Sequence, residues 1–187
     1  GITGAIGLRP TLAALRSGDH DDVRAVMVGA GPDRAAIAER IRAQGLAGAI
    51  TMHEPMPARD AFALARTVVM PSRAEAMPYI VLEALAAGMP LIATTVGGIP
   101  EIMGQNNAAL VEPALVPLTD AMRRSLDQPG WLGNQMVPVT TLKSRFSAAV
   151  MAESIVNAYR EALTRARPAA IQRSPAGPKT NGASSVS

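Results

Sequence analysis

The sequence predicts an α/β fold, a Rossmann-like parallel sheet with helices on both faces. Three observations carry this expectation. Short apolar runs rich in Val, Ile and Met recur between longer segments whose apolar residues fall at helical spacing. Two of the runs, Val68-Val69-Met70 and Leu91-Ile92-Ala93, are continuously apolar instead of alternating, as expected of strands covered on both faces. Gly or Pro stands at most changes from one kind of segment to the other. Strands that alternate with helices are joined by crossovers, and crossovers produce parallel pairing. With 187 residues, 48% of them hydrophobic, the chain has material for one substantial core.

The elements follow in order. Pro10–Arg16 reads as a helix with Leu12 and Leu15 on one side. Arg24–Val28 reads as the first strand and ends at the turn Gly29-Ala30-Gly31-Pro32. Asp33–Gln44 carries Ile37 and Ile41 one helical turn apart, with Gly45 placed to stop it. Ala49–Met52 is the next strand, Asp60–Arg66 a short helix, and Thr67–Met70 a buried strand. A helix over Pro78–Ala87 stops at Gly88, and Pro90–Thr94 returns to the sheet. Gly97-Gly98 turns the chain into a short helix at Pro100–Met103, and Ala108–Val111 and Pro117–Gln128 form the last strand and its helix. Residues 130–145 show little periodicity, and Ser147–Thr164 reads as a long helix with Val150, Ile155, Tyr159 and Leu163 on one side. The expected domain spans 1–166, followed by a Pro/Ser/Gly-rich, basic tail at 167–187 that is expected to be disordered.

Charge and composition remove several function classes. The formal net charge is +3, but residues 162–187 hold Arg165, Arg167, Arg173 and Lys179 and no acid, so the body is close to neutral. With 3% aromatic residues and no basic stripe, a nucleic-acid partner is not expected. The acid-free tail allows peripheral contact with an anionic membrane. The chain lacks cysteine, and its two histidines, His20 and His53, are far apart in sequence and read as surface residues, so no metal site is expected. Cysteine usage and the lack of a signal sequence at Gly1-Ile2-Thr3-Gly4 suit a cytoplasmic protein, and the missing initiator Met suits a fragment. Gly29-Ala30-Gly31 looks like the opening of a dinucleotide fingerprint, but Arg34 occupies the position that should be Gly or Ala, so NAD is not expected.

The segment from Arg73 to Pro90 holds the chemistry. Glu75 precedes a helix and Glu83 lies within it, and Pro78–Ala87 is otherwise apolar or aromatic on every side. A helix apolar all round is expected to be buried, and a buried carboxylate requires a partner. Ligands of open parallel sheets bind beyond the carboxyl ends of strands, and Glu75 sits on such a loop after Val68–Met70. The first amides of the helix have no intrahelical acceptor and carry the positive end of its dipole, so they suit a phosphate. A phosphate flanked by two carboxylates, which accept from hydroxyls, is the layout of a nucleotide sugar. The bland readings are a helix-start acid at Glu75 and a Glu83 satisfied by backbone or by Arg73.

These residues resemble a family. Val28-Gly29-Ala30-Gly31-Pro32, Val69-Met70-Pro71-Ser72, the two glutamates separated by seven residues, Ala87-Gly88-Met89-Pro90 and Val96-Gly97-Gly98-Ile99-Pro100-Glu101 stand in order. That series is similar to the donor-binding, C-terminal half of retaining glycosyltransferases of the two-domain GT-B fold, glycosyltransferase family 4 (group 1) in particular. The resemblance implies a hexosyltransferase-type enzyme of polysaccharide or glycoconjugate synthesis. Glu75 would be the catalytic glutamate, contacting the donor sugar, and Glu83 would hold the ribose hydroxyls. Backbone amides of Met77, Tyr79 and Ile80 would face the diphosphate, and Gly29, Gly31 and Met56 would lie near the nucleotide. It implies no cofactor or metal beyond the nucleotide-diphosphate sugar itself. The acceptor, a glycan or lipid-linked glycan, would be held by an N-terminal domain missing from this chain, placing the reaction in the cytoplasm or at the inner face of the membrane.

Three positions depart from the family's pattern. Pro78 stands where Gly is common, Pro55 replaces a Gly before the base-binding loop, and Ala5-Ile6-Gly7-Leu8 lacks the Arg and Lys that bind diphosphate. The departures and the missing domain lead to the expectation that the isolated chain is inactive. They also support an alternative, a catalytically silent module that binds a nucleotide or a partner.

Overall fold

The computed structural model describes Leu12, Arg16 and residues 20–76, 78–128 and 130–165. Strand and helix alternate as expected. They are β1 (Ala25–Val28), α1 (Arg34–Ala43), β2 (Ile50–His53), α2 (Ala58–Phe62), β3 (Val68–Met70), α3 (Tyr79–Ala86), β4 (Leu91–Thr94), α4 (Ile99–Met103), β5 (Leu110–Val111) and α5 (Leu115–Asp127). A 3-10 turn at Gly133–Gln135 and two further helices, α6 (Val139–Phe146) and α7 (Ala148–Arg165), complete the order.

Among the described residues every strand pairing is parallel, in keeping with the α/β class predicted. β1 pairs with β2 from Ala25↔Ile50 to Val28↔His53. β4 pairs with β3 from Leu91↔Val68 to Ala93↔Met70, and with β5 through Ala93↔Leu110 and Thr94↔Val111. All four residues of β4 are buried, and because alternate residues of a strand point to opposite faces, both faces of β4 are covered. One continuous sheet is the sequence expectation; among the described residues the ladder divides into β1-β2 and β3-β4-β5, with β1 and β3 unpaired at the seam.

Each sheet has its own core. Leu12, Ile37, Ile41, Leu46, Ala49 and Ile50 form the cluster under β1 and β2, so the helical spacing of Ile37 and Ile41 does what the sequence suggested. The larger cluster joins Val81 and Leu85 of α3 to Leu91 and Ile92 of β4, Ile99 and Ile102 of α4, and Leu118 and Met122 of α5. The weakly periodic stretch 130–145 contributes Trp131, Leu132 and Leu142 to this cluster, through a turn and a helix too short to show a period. The short helix expected at 60–66 instead begins at Ala58, where Pro57 supplies an extended residue before the first turn, and ends at Phe62. The chain divides into one unit through Phe146 and another from Ser147, whose described part is α7. On α7, Ile155, Tyr159 and Leu163 are all exposed. The expected disordered tail lies outside the described residues.

Candidate active site

The loop from β3 to α3 holds Glu75 by contacts that begin in the next strand. Thr94, at the end of β4 and only 1% exposed, donates its hydroxyl to the Ser72 carbonyl at 2.6 Å, with the Met70 carbonyl 3.3 Å away. Ser72 in turn donates its own hydroxyl to Glu75 Oε1 at 2.8 Å. One carboxylate oxygen of Glu75 is thereby fixed, on a side chain that is half-buried. The Gly97-Gly98 turn closes on the same loop. A Cβ on Gly97 would lie 1.6 Å from the Glu75 carbonyl oxygen, and one on Gly98 would lie 2.9 Å from the Ala76 carbonyl oxygen. Two motifs about twenty residues apart in sequence are thus one piece of structure, joined because a glycine backbone can approach another backbone more closely than any other residue allows.

Helix α3 begins beside Glu75. Pro78, buried, is its N-cap, and among the described residues the first amide to find a carbonyl is Val81, which donates to Pro78 at 2.9 Å. The amides of Tyr79 and Ile80 occupy the first two helical positions, where no intrahelical acceptor exists. Met77 lies outside the described residues. The expectation that α3 is buried all round is corrected: Val81, Ala84 and Leu85 form the buried side, whereas Tyr79, Glu83 and Ala86 lie together on the exposed side. The reason is angular. Residues 79, 83 and 86 fall within one arc of a 3.6-residue helix, and two of the three are an amphipathic Tyr and a small Ala, which hydropathy alone does not distinguish from core. Among the described residues Glu83 has neither a hydrogen bond nor an ion pair, with Arg73 or any other side chain, and its exposed carboxylate is open to water.

Glu83 faces a cavity of about 470 Å³ at the seam between the two sheets. Among the described residues it is the single charged member of the lining, which also includes Gly29, Pro55, Met56, Phe62, Met70 and Ile80. Four of the predicted site residues, Glu83, Gly29, Met56 and Ile80, therefore meet in one space; Glu75, Gly31 and Tyr79 do not line it. Glu75 instead stands at the helix start, and Tyr79 is 61% exposed. The volume falls in the range of small-molecule sites, and an apolar wall with one carboxylate suits a flat apolar group bearing hydroxyls.

Arg34, read in the sequence only as an obstacle to dinucleotide binding, has a role of its own. Its Nη1 donates to the carbonyls of Gly29 at 2.7 Å and His53 at 3.0 Å, and its Nη2 lies 3.0 Å from Glu54 Oε1. The Gly29 amide donates to the same His53 carbonyl at 3.2 Å. The carboxyl ends of β1 and β2 are thus tied beside the cavity. His20 and His53 are half-buried, not surface residues as expected, and His20 Nε2 lies 3.0 Å from Asp127 Oδ1. Among the described residues no three acidic or histidine side chains converge as a metal site would require.

Proteins of known class are similar to this chain in sequence and in fold. The D-inositol 3-phosphate glycosyltransferase of Acidothermus cellulolyticus is 31% identical over 167 residues, covering 83% of this chain and 37% of that protein. In three dimensions the chain superposes on a glycosyltransferase of Rickettsia africae with a TM-score of 0.72 at 21% identity, over 87% of this chain and 45% of that one. It also superposes on HepE of Anabaena, solved in complex with UDP and glucose, with a TM-score of 0.69 at 17% identity over 82% and 44% of the two chains. The chain spans only 35% to 38% of the length of the curated relatives it matches first. The family model described as glycosyl transferases group 1 matches residues 7–128, and with the series of motifs now gathered in one fold, the chain belongs to that family of glycosyltransferases.

Proposed function

We propose that this chain is the donor-binding, C-terminal half of a retaining glycosyltransferase of family 4, transferring a hexosyl group from a nucleotide-diphosphate sugar to a glycan or lipid-linked glycan. The observation that carries the reading is the convergence of Glu83, Gly29, Met56 and Ile80 on one cavity at the β1–β3 seam. Residues of β1 and β3 line this cavity, β1 pairing with β2 and β3 with β4, and a switch point at which strand order diverges is where α/β sheets bind ligands. The base and ribose would occupy the cavity, with Glu83 accepting from the ribose hydroxyls. The diphosphate would lie at the start of α3, against the amides of Met77, Tyr79 and Ile80. The sugar would then reach Glu75, whose orientation Ser72 holds.

In this reading the bond from the sugar's anomeric carbon to the diphosphate oxygen breaks as the acceptor hydroxyl oxygen attacks from the same face. The acceptor proton passes to the departing diphosphate. Glu75 positions the sugar and stabilises the positive charge that develops on it, with no covalent role and no cofactor. The acceptor would be held by the additional length that relatives possess, so the isolated chain is expected to bind donor without completing transfer. The cysteine-free sequence and acid-free tail favour the cytoplasmic side of a membrane as the place of reaction.

The test is a calorimetric titration with UDP, GDP and ADP, repeated on Glu83→Gln. Saturable binding of at least one nucleotide is expected, and the substitution should weaken it roughly tenfold by removing a charge-assisted hydrogen bond. No binding to any of the three by folded protein refutes donor recognition; unchanged affinity in Glu83→Gln refutes the ribose role.

A further inference from the structure

We infer that Arg34 is a positioning residue for nucleotide selectivity: without touching the ligand, it sets the separation of the two loops that form the base-facing wall of the cavity. The inference rests on reading that cavity as a nucleotide site. Val28↔His53 is the last pair of the β1–β2 ladder, and beyond it the two strand ends would separate. Arg34 extends the connection past that point. One guanidinium nitrogen takes both the Gly29 and the His53 carbonyls, and the other reaches Glu54, the residue before Pro55 and Met56. Gly29 lines the cavity from one of these loops and Pro55 and Met56 from the other, whereas Arg34 itself is not part of the lining.

The chemistry of the side chain suits this task. A guanidinium presents a planar fork of donors, so it can hold two carbonyls and a carboxylate in fixed mutual geometry, which the single ammonium of lysine cannot reproduce. Its backbone is anchored as well, since the Arg34 amide donates to the Gly31 carbonyl at 3.2 Å at the start of α1. The fork therefore joins three segments: the β1 end, the β2 end and the first turn of α1. Glu54 is largely exposed, 75% by side chain, and Arg34 is 27% exposed, so the pairing with Glu54 aims the guanidinium while the two carbonyls carry the connection.

A selectivity measurement separates this role from a merely structural one. If Arg34 only supported folding, its loss would reduce the competent fraction and scale every apparent dissociation constant by the same factor. If it sets the width of the base-facing wall, the ratio between nucleotides must change. UDP, GDP and ADP are titrated into the whole chain and into Arg34→Gln and Arg34→Lys, with thermal unfolding monitored in parallel. The ratio between the best and second-best nucleotide is expected to fall by about fivefold or more in Arg34→Gln, in the range of coupling between sites, and by less in Arg34→Lys. Should Arg34→Gln not fold, the ratio in Arg34→Lys decides by the same criterion. A ratio unchanged while all affinities shift together overturns the inference, as does a wild-type chain that binds all three equally. A wild-type chain that binds none refutes the nucleotide site itself, an outcome distinct from a failure of Arg34 alone.

Discussion

Gly97 is the position at which one methyl group should displace the Glu75 loop. Its φ is +52°, a left-handed conformation, and a Cβ there would fall 1.6 Å from the Glu75 carbonyl oxygen. The conformation alone costs an alanine about 1–2 kcal/mol. The overlap is with backbone, which cannot rotate away as a side chain can, so the loop must shift and the total should reach about 2–3 kcal/mol. At about 2–4 °C per kcal/mol for a chain of this size, Gly97→Ala should lower the unfolding midpoint by roughly 4–12 °C. Two controls grade the argument. Gly98 has φ of −78°, and its Cβ would meet the Ala76 carbonyl at 2.9 Å, so Gly98→Ala should cost about 1 kcal/mol. Gly48 has nothing within 4 Å of the place a methyl group would occupy, and Gly48→Ala should stay within about 0.5 kcal/mol of wild type. Chemical denaturation and calorimetry read all three. A Gly97→Ala protein as stable as wild type, or one less perturbed than Gly98→Ala, would refute the close approach of the two loops.

Other substitutions test the support beneath the site and the core that carries it. Thr94→Val keeps the shape of a fully buried side chain but leaves the Ser72 carbonyl without its donor, and should cost about 1–3 kcal/mol in urea denaturation, part of it recovered by Thr94→Ser. Ile92→Ala removes a completely buried side chain from the larger core cluster and should cost about 2–5 kcal/mol, enough to read as a lower midpoint with little change in denaturant slope.

Much of the fold was legible because its signals are local. Ile37 and Ile41 one turn apart, Gly88 with its φ of +69° after α3, and the apolar run Leu91-Ile92-Ala93 each declare an element without reference to the rest of the chain. The stretch around Leu142 did not, because a helix of eight residues with one buried side chain has too few repeats to define a period. At the site, chain order was enough to single out Glu75 and Glu83 but misjudged the setting of Glu83. Hydropathy records how apolar α3 is, not which arc of it the neighbouring elements cover.

By itself the sequence determined the α/β class, the order of strands and helices, and the series of motifs, Glu75 and Glu83 among them, that resembles a glycosyltransferase family. These depend on propensity, periodicity and punctuation, which act over a few residues. Only the tertiary structure decided that Thr94 and Ser72 hold Glu75, that Gly97 packs on its backbone, that Glu83 opens onto the seam, and that Arg34 ties two strand ends together. The hydrogen bonds among them join residues 3 to 24 apart in sequence and the seam gathers residues from Val26 to Met89; in each case the partners are chosen by how the strands pair and how closely the loops approach, and pairing and approach are properties of the folded chain.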